Sequence, residues 1–242
     1  MTSLDYFFFS AYPYIAIIVF LVGTTYRYRE TGFKVTSLSA QFLEGKQGFW
    51  GTVPFHFGIL MVFLGHMAAF LMPGSVLAWN SDPVRLITHE GLSFTFAVAL
   101  AVGLVALIIR RMTHPRLKVV TTRMDYFVEF VLLTQVLLGC WIALGYRWGS
   151  SWFAADLSPY LWSILKLNPQ TDAVVAMPTV IKAHIVGAFS ILLIFPFTRL
   201  IHIVVAPFHY LWRPYQVVIW YYDKKRIRDA KTAWSDARPR NN

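Results

Sequence analysis

Four histidines are the residues of this chain whose type and spacing point to chemistry. His56 and His66 lie ten residues apart in one apolar stretch, 55–72, and His184 and His202 lie eighteen apart in another, 180–205. An ionisable side chain at membrane depth is costly, so it reads as functional and calls for a partner. Two histidine pairs on two spanning helices suit two haems stacked through a bilayer, each held by one imidazole from each helix. Ligation by two imidazoles fills both axial positions. Such a centre passes electrons and offers no open position to a substrate, so any substrate reduction belongs elsewhere.

The elements that must position these residues are membrane helices. The chain has 242 residues, 57% hydrophobic and 14% charged, with a mean hydropathy of +0.52. A soluble chain carries about 25% charged residues. Apolar runs near the length of a bilayer crossing recur at about 6–25, 51–72, 91–112, 124–145 and 177–205. The expected fold is all-α, a single polytopic bundle of five transmembrane helices over 1–218, followed by a basic tail over 219–242. The first run follows Asp5, with no Lys or Arg before it and no small-residue cleavage site after it. It is expected to remain as a span and not to be removed as a signal peptide.

Net charge is +10, and the basic residues alternate between loops. Seventeen Lys and Arg fall after the first span, after the third and in the tail, whereas the other two loops hold only Arg85, Arg147 and Lys166, with Lys182 at a helix start. Topology explains this pattern better than nucleic-acid binding does. The positive-inside rule puts the N-terminus outside and the tail in the cytoplasm. The one cysteine, Cys140, lies in an apolar run, so this chain can hold no disulfide framework or cysteine-ligated cluster. Two further helical pieces are expected, a short surface helix at 37–46 and an interfacial amphipathic segment within 146–176, where Trp148, Trp152, Tyr160 and Trp162 cluster. The aromatic, basic stretch from Trp212 to Tyr222 suits anionic lipid or a partner surface, and His114 and His209 read as surface residues.

With this topology the second span runs outward and the fifth inward. Depth then pairs His66 with His184 near the outside, and His56 with His202 near the cytoplasm. In a continuous helix, eighteen residues make five full turns and put His184 and His202 on one face, whereas ten residues leave His66 about 80° round from His56. The axial spacings, about 15 Å and about 27 Å, do not match. Pro196 is expected to kink the fifth helix and absorb part of the difference. Gly58, Gly65 and Gly187 lie within three residues of a candidate ligand. They either make room for a porphyrin or let helices approach closely. Arg199, three residues before His202, is a candidate partner for a haem propionate or a snorkelling interfacial cation. A haem-free channel or transporter with buried histidines is the rival class, and an optical spectrum separates the two.

These residues carry a resemblance. Phe7-Phe8-Phe9, Tyr12-Pro13-Tyr14-Ile15-Ala16, Phe55-His56-Phe57-Gly58-Ile59-Leu60, Gly65-His66, Arg110-Arg111, Pro115-Arg116, Thr121-Thr122 and Asp125 form its first part. Phe195-Pro196-Phe197-Thr198-Arg199-Leu200-Ile201-His202-Ile203, Pro207, Tyr210-Leu211, Arg213 and Tyr215-Gln216 form its second. Over roughly 5–218 the chain resembles the gamma subunit of membrane-bound respiratory nitrate reductase, a dihaem cytochrome b. The resemblance implies two haem b groups with ligands at His56, His66, His184 and His202, in the pairing above, in the cytoplasmic (inner) membrane of a prokaryote. It implies quinol oxidation near the outer haem. Electrons would then pass to an iron–sulfur beta subunit and on to a molybdenum-cofactor alpha subunit that reduces nitrate. A nitrite-oxidising or a thiol- or sulfur-linked complex built on the same cytochrome is the alternative, and a co-purifying large subunit distinguishes them.

One position departs from the family. Its quinol site uses a lysine after the second span. An ungapped comparison puts Leu86 there, with Arg85 as the nearest base. Arginine can bond a quinone carbonyl but cannot lose its proton. His89, Glu90 and Asp82 are the candidate proton acceptors, and Gly65 and His66 the expected neighbours of the ring. The expected quinol site therefore lies beside His66 and the loop 73–90.

Overall fold

The computed structural model describes residues 3–31 and 49–204, which are almost entirely helical and include no strand. The first span is one helical run, α1 (Ser3–Tyr6), a π-turn (Phe7–Ala11) and α2 (Tyr12–Thr31). Then follow α3 (Phe49–Leu71), α4 (Pro73–Asn80), α5 (Pro83–Thr113), α6 (Pro115–Val120) and α7 (Arg123–Gly145). The segment after α7 holds α8 (Gly149–Trp152), a π-turn (Phe153–Leu157), α9 (Ser158–Leu165) and α10 (Asp172–Ala176). Last come α11 (Thr179–Ile194) and two 3₁₀ turns, Phe195–Phe197 and Arg199–Ile203. Five helical stretches are long and apolar enough to cross a membrane: Ser3–Glu30, Phe49–Leu71, Pro83–Thr113, Arg123–Gly145 and Thr179–Phe197. The expected surface helix at 37–46, the boundary at 218/219, His209 and the basic tail lie outside the described residues.

Capping explains where the long helices start. Asp82 accepts the Arg85 N–H and Pro83 occupies the first turn, so α5 begins there. Thr122 and Asp125 form a reciprocal capping box at the head of α7. The sequence places 73–90 in a loop, and the structure corrects this. Pro73–Asn80 is α4, and Arg85 and His89 ride on the first turns of α5. Side-chain polarity ends the apolar window at residue 91, but the cap at Asp82 carries the backbone helix further out.

The fifth span departs more sharply. Pro196 has no N–H to donate, and its ring crowds the preceding turn. The α-helix stops at Ile194 instead of kinking, and the chain continues through the 3₁₀ turns with Thr198 extended between them at φ −116° and ψ 175°. His184 and His202 are therefore not on one face of one continuous helix.

Packing links the helices in a series: α3 lies along α5, α5 also packs on α7, and α11 lies against α7 and α2, whereas α3 and α11 make no extended contact with each other. The α3–α5 seam is built on glycine. A Cβ on Gly58 would lie 2.7 Å from the backbone N of Leu100, and one on Gly103 2.9 Å from the carbonyl oxygen of Gly51. That decides Gly58: it permits helix contact and does not make porphyrin room. The larger core cluster sits at one end and joins Phe9, Ala16, Ile142, Leu157, Tyr160, Ile164, Ile181 and Phe189. Within it, α9 packs one face inward while Trp162 and Leu165 stay exposed. Tyr160 and Ile164 are buried, the Tyr160 hydroxyl donates to the Phe9 carbonyl (2.9 Å), and Ser158 donates to the Ala69 carbonyl (2.8 Å). Burial pushes the Tyr160 phenol's ionisation upward, so it stays a donor.

Candidate functional site

Three of the four histidines share one local geometry. Nδ1 of His56 is 2.8 Å from the Thr52 carbonyl oxygen, Nδ1 of His66 is 2.7 Å from that of Val62, and Nδ1 of His202 is 2.7 Å from that of Arg199. A carbonyl can only accept, so Nδ1 carries the proton in each, and Nε2 is left with its lone pair. All three rings are exposed from the protein, so that lone pair is not buried against the chain. A histidine that binds metal through one nitrogen commonly donates the other N–H to a carbonyl or carboxylate, which fixes the ring and raises its basicity.

His184 differs. Its Nδ1 is buried and has no hydrogen-bond partner. Its backbone carbonyl accepts from the Gln135 side chain on α7 (2.9 Å), and a Cβ on Gly139 would lie 3.2 Å from its ring Cε1. Gly187 faces the Gln135 amide oxygen, leaving no room there for a side chain. It therefore makes room for Gln135 and not for a porphyrin. Around Gly65 there is open space, with nothing within 4 Å of where a methyl group would stand. Neither His66 with His184 nor His56 with His202 shares a hydrogen bond or ring contact.

Among the described residues no group of three or more His, Cys, Asp or Glu is placed to hold a bare metal ion. Pairs of imidazoles with free Nε2 atoms instead fit an iron whose other four ligands come from a porphyrin. The imidazole donors, with the tautomer fixed at His56, His66 and His202, would suit such a group and would supply it with nitrogen ligands.

The His202 segment is held by charge. Arg27, on α2, donates through Nη1 to the carbonyls of Pro196 (2.7 Å) and Thr198 (3.0 Å). Arg199 pairs through Nε with Asp125 on α7 (3.1 Å) and donates to the Val120 carbonyl (3.0 Å). Arg111 pairs with Glu129 and stands 3.9 Å from Asp125. Sequence reasoning singles out Arg199 but misses Asp125 as its partner, Arg27 as the donor to the Pro196 and Thr198 carbonyls, and Gln135 as the partner of the His184 backbone. A charged or amide side chain inside or beside an apolar run is the available signal.

Arg85 and His89 do not touch in this structure. Arg85 lies over the Trp79 ring, 5.2 Å from its centroid, and 4.0 Å from Asp82. His89 Nδ1 is 3.1 Å from Asn80 Oδ1, and the Asn80 amide donates to the hydroxyls of Ser150 (2.9 Å) and Ser151 (3.0 Å). Ser150 in turn donates N–H and O–H to Glu90. Glu90 is thus occupied, and His89 keeps a free Nε2. Three residues beyond Ser150, Phe153 meets the His66 ring edge-on at 5.3 Å. The segment 149–153 therefore joins the His89 network to His66. A pocket of about 520 Å³ between Tyr146, Trp152, Asp156, Met177 and Ile181 contains none of the expected site residues.

Comparison with known proteins gives the family. Residues 5–221 match the family model of the nitrate reductase gamma subunit. The chain is 33% identical over 220 residues to the respiratory nitrate reductase 2 gamma chain of Escherichia coli K12, covering 89% of this chain and 96% of that one. It is 31% identical to the nitrate reductase gamma chain of Bacillus subtilis 168, over 85% of this chain and 93% of the relative. With nearly the whole length of these relatives covered and the family model matched over most of the chain, this protein belongs to the nitrate reductase gamma subunit family.

Proposed function

We propose that this chain is the membrane-anchor cytochrome b of a nitrate reductase, taking electrons from quinol near the outer face and passing them to cytoplasmic iron–sulfur and molybdenum subunits. The observation that carries the reading is the set of carbonyl-bound Nδ1–H groups at His56, His66 and His202, each leaving Nε2 as the ligand atom. His66 and His184 hold the outer of two b haems, and His56 and His202 the inner. These groups supply one-electron transfer across the membrane. The N-terminus lies outside and the C-terminus in the cytoplasm, a reading that the distribution of Lys and Arg supports. The remaining N–H groups of Arg199, beyond those used by Asp125 and Val120, would serve a haem propionate.

The quinol lies beside Gly65 and His66, where the open space around Gly65 admits a ring. A polar group must meet each of its oxygens, because an unpaired buried oxygen is costly. His66, or a propionate of its haem, meets one oxygen, and Arg85 or His89 the other; His89, with Nδ1 committed to Asn80, is the better proton acceptor, at Nε2. The quinol loses two electrons to the chain's carriers and two protons to the outer side. A pyridine haemochrome assay on the intact complex tests the cofactor reading. Two non-covalent b haems per chain are expected, and one or none would overturn the pairing.

A further inference from the structure

The segment that carries His202 has lost the support of an α-helix. Pro196 ends α11, and His202 sits in a 3₁₀ turn whose hydrogen bonds are of poorer geometry. Its imidazole is nevertheless oriented, because Nδ1–H donates to the carbonyl of Arg199. That carbonyl belongs to a residue whose side chain is anchored on another helix, through Asp125. Asp125 is buried, at 8% exposure, so its charge is poorly solvated and depends on its cationic partners.

We infer that Asp125 is the positioning residue for the inner haem's axial histidine, acting through Arg199. The inference rests on the bis-histidine reading above. Asp125 fixes the Arg199 guanidinium against α7, with the Val120 carbonyl as second anchor. The Arg199 backbone is thereby fixed, and its carbonyl holds the proton on Nδ1 of His202 and aims Nε2. Asp125 makes no hydrogen bond or ion pair with the His202 ring. It has a second duty, as the carboxylate of the capping box with Thr122, and any test must separate the two.

Thr122→Ala makes that separation. It removes the capping hydroxyl but leaves the carboxylate facing Arg199. The assembled complex in native membranes is titrated potentiometrically and its low-spin haem signals are recorded by electron paramagnetic resonance. The inner signal is the one that His202→Ala removes. Asp125→Ala and the near-isosteric Asp125→Asn should each move the inner haem's midpoint potential to more positive values and shift its largest g-value. The outer haem should not change. Asp125→Glu should restore part of the wild-type behaviour, and Thr122→Ala should leave both haems as in wild type. Unchanged inner-haem signals in Asp125→Asn would overturn the inference. So would a Thr122→Ala complex that reproduces the Asp125→Asn shift, which would assign the effect to the helix end. A wild-type complex with fewer than two b haems would instead defeat the reading on which the inference rests, and is seen before any variant is made.

Discussion

The imidazoles set the first predictions, at the scale of single residues. Substituting His66 or His184 with alanine should remove the outer haem or make it high-spin, and substituting His56 or His202 should do the same to the inner one. Optical and magnetic spectra that made His66→Ala indistinguishable from His202→Ala would show the depth assignment to be wrong. The quinol site gives a second pair. Arg85 is held only by an exposed carboxylate and an aromatic face, so Arg85→Ala should chiefly raise the quinol KM. His89→Ala should lower turnover and alter its pH profile, because it removes the proposed proton acceptor at Nε2. Both variants should keep both haems, and normal quinol oxidation in the double variant would place the site elsewhere. At this scale the sequence is informative about the proposed ligands because a histidine in an apolar run is conspicuous. It says less about the residues that hold them. Asp125 and Gln135 act on Arg199 and His184 across a gap of many residues, and nothing in the spacing couples one helix to the other. His184 and Gly187 show the limit: the glycine beside the ligand serves the Gln135 side chain, a partner visible only once α7 lies against α11.

Helices give the next scale, and here the ends are harder to read than the middles. The run 124–145 matches α7, Arg123–Gly145, to within a residue at its start, since the capping box and the apolar window coincide there. Hydropathy misplaces the start of α5 because Asp82, Arg85, His89 and Glu90 lower it over turns that the backbone still completes. From sequence Pro196 reads as a kink, whereas it ends the α-helix and frees carbonyls that water cannot reach within a bilayer. Arg27 satisfies two of them. A hydrogen bond to a charged donor contributes about 1.5–3 kcal/mol. With two such bonds lost, Arg27→Ala should therefore destabilise the fifth span by about 3–6 kcal/mol and lower inner-haem content ahead of outer-haem content, measured as haem b per chain after mild detergent extraction. Equal loss of both haems would show that Arg27 acts on the bundle as a whole.

For the whole molecule, the five spans need an orientation, which impermeant labelling can read. In a Cys140→Ser background, a cysteine introduced by Ser81→Cys, between α4 and α5, should react with an impermeant maleimide in intact cells. One introduced by Thr113→Cys, at the other end of α5, should react only after permeabilisation. The opposite pattern would reverse the topology and with it the assignment of outer and inner haem. Helix seams also bear on how such a protein comes to exist. Gly51, Gly58 and Gly103 let α3 and α5 close backbone to backbone without a prosthetic group between them. α3 and α11 have no comparable seam. During synthesis the α3–α5 hairpin can enter the membrane and pair while α11 is still on the ribosome. It would then present His56 and His66 as a half-built receptor, whose opposing ligands arrive only with the final helix. Cofactor capture on this scheme is a late step in biogenesis, and a chain shortened before His184 would insert and pair its early helices yet never become a cytochrome.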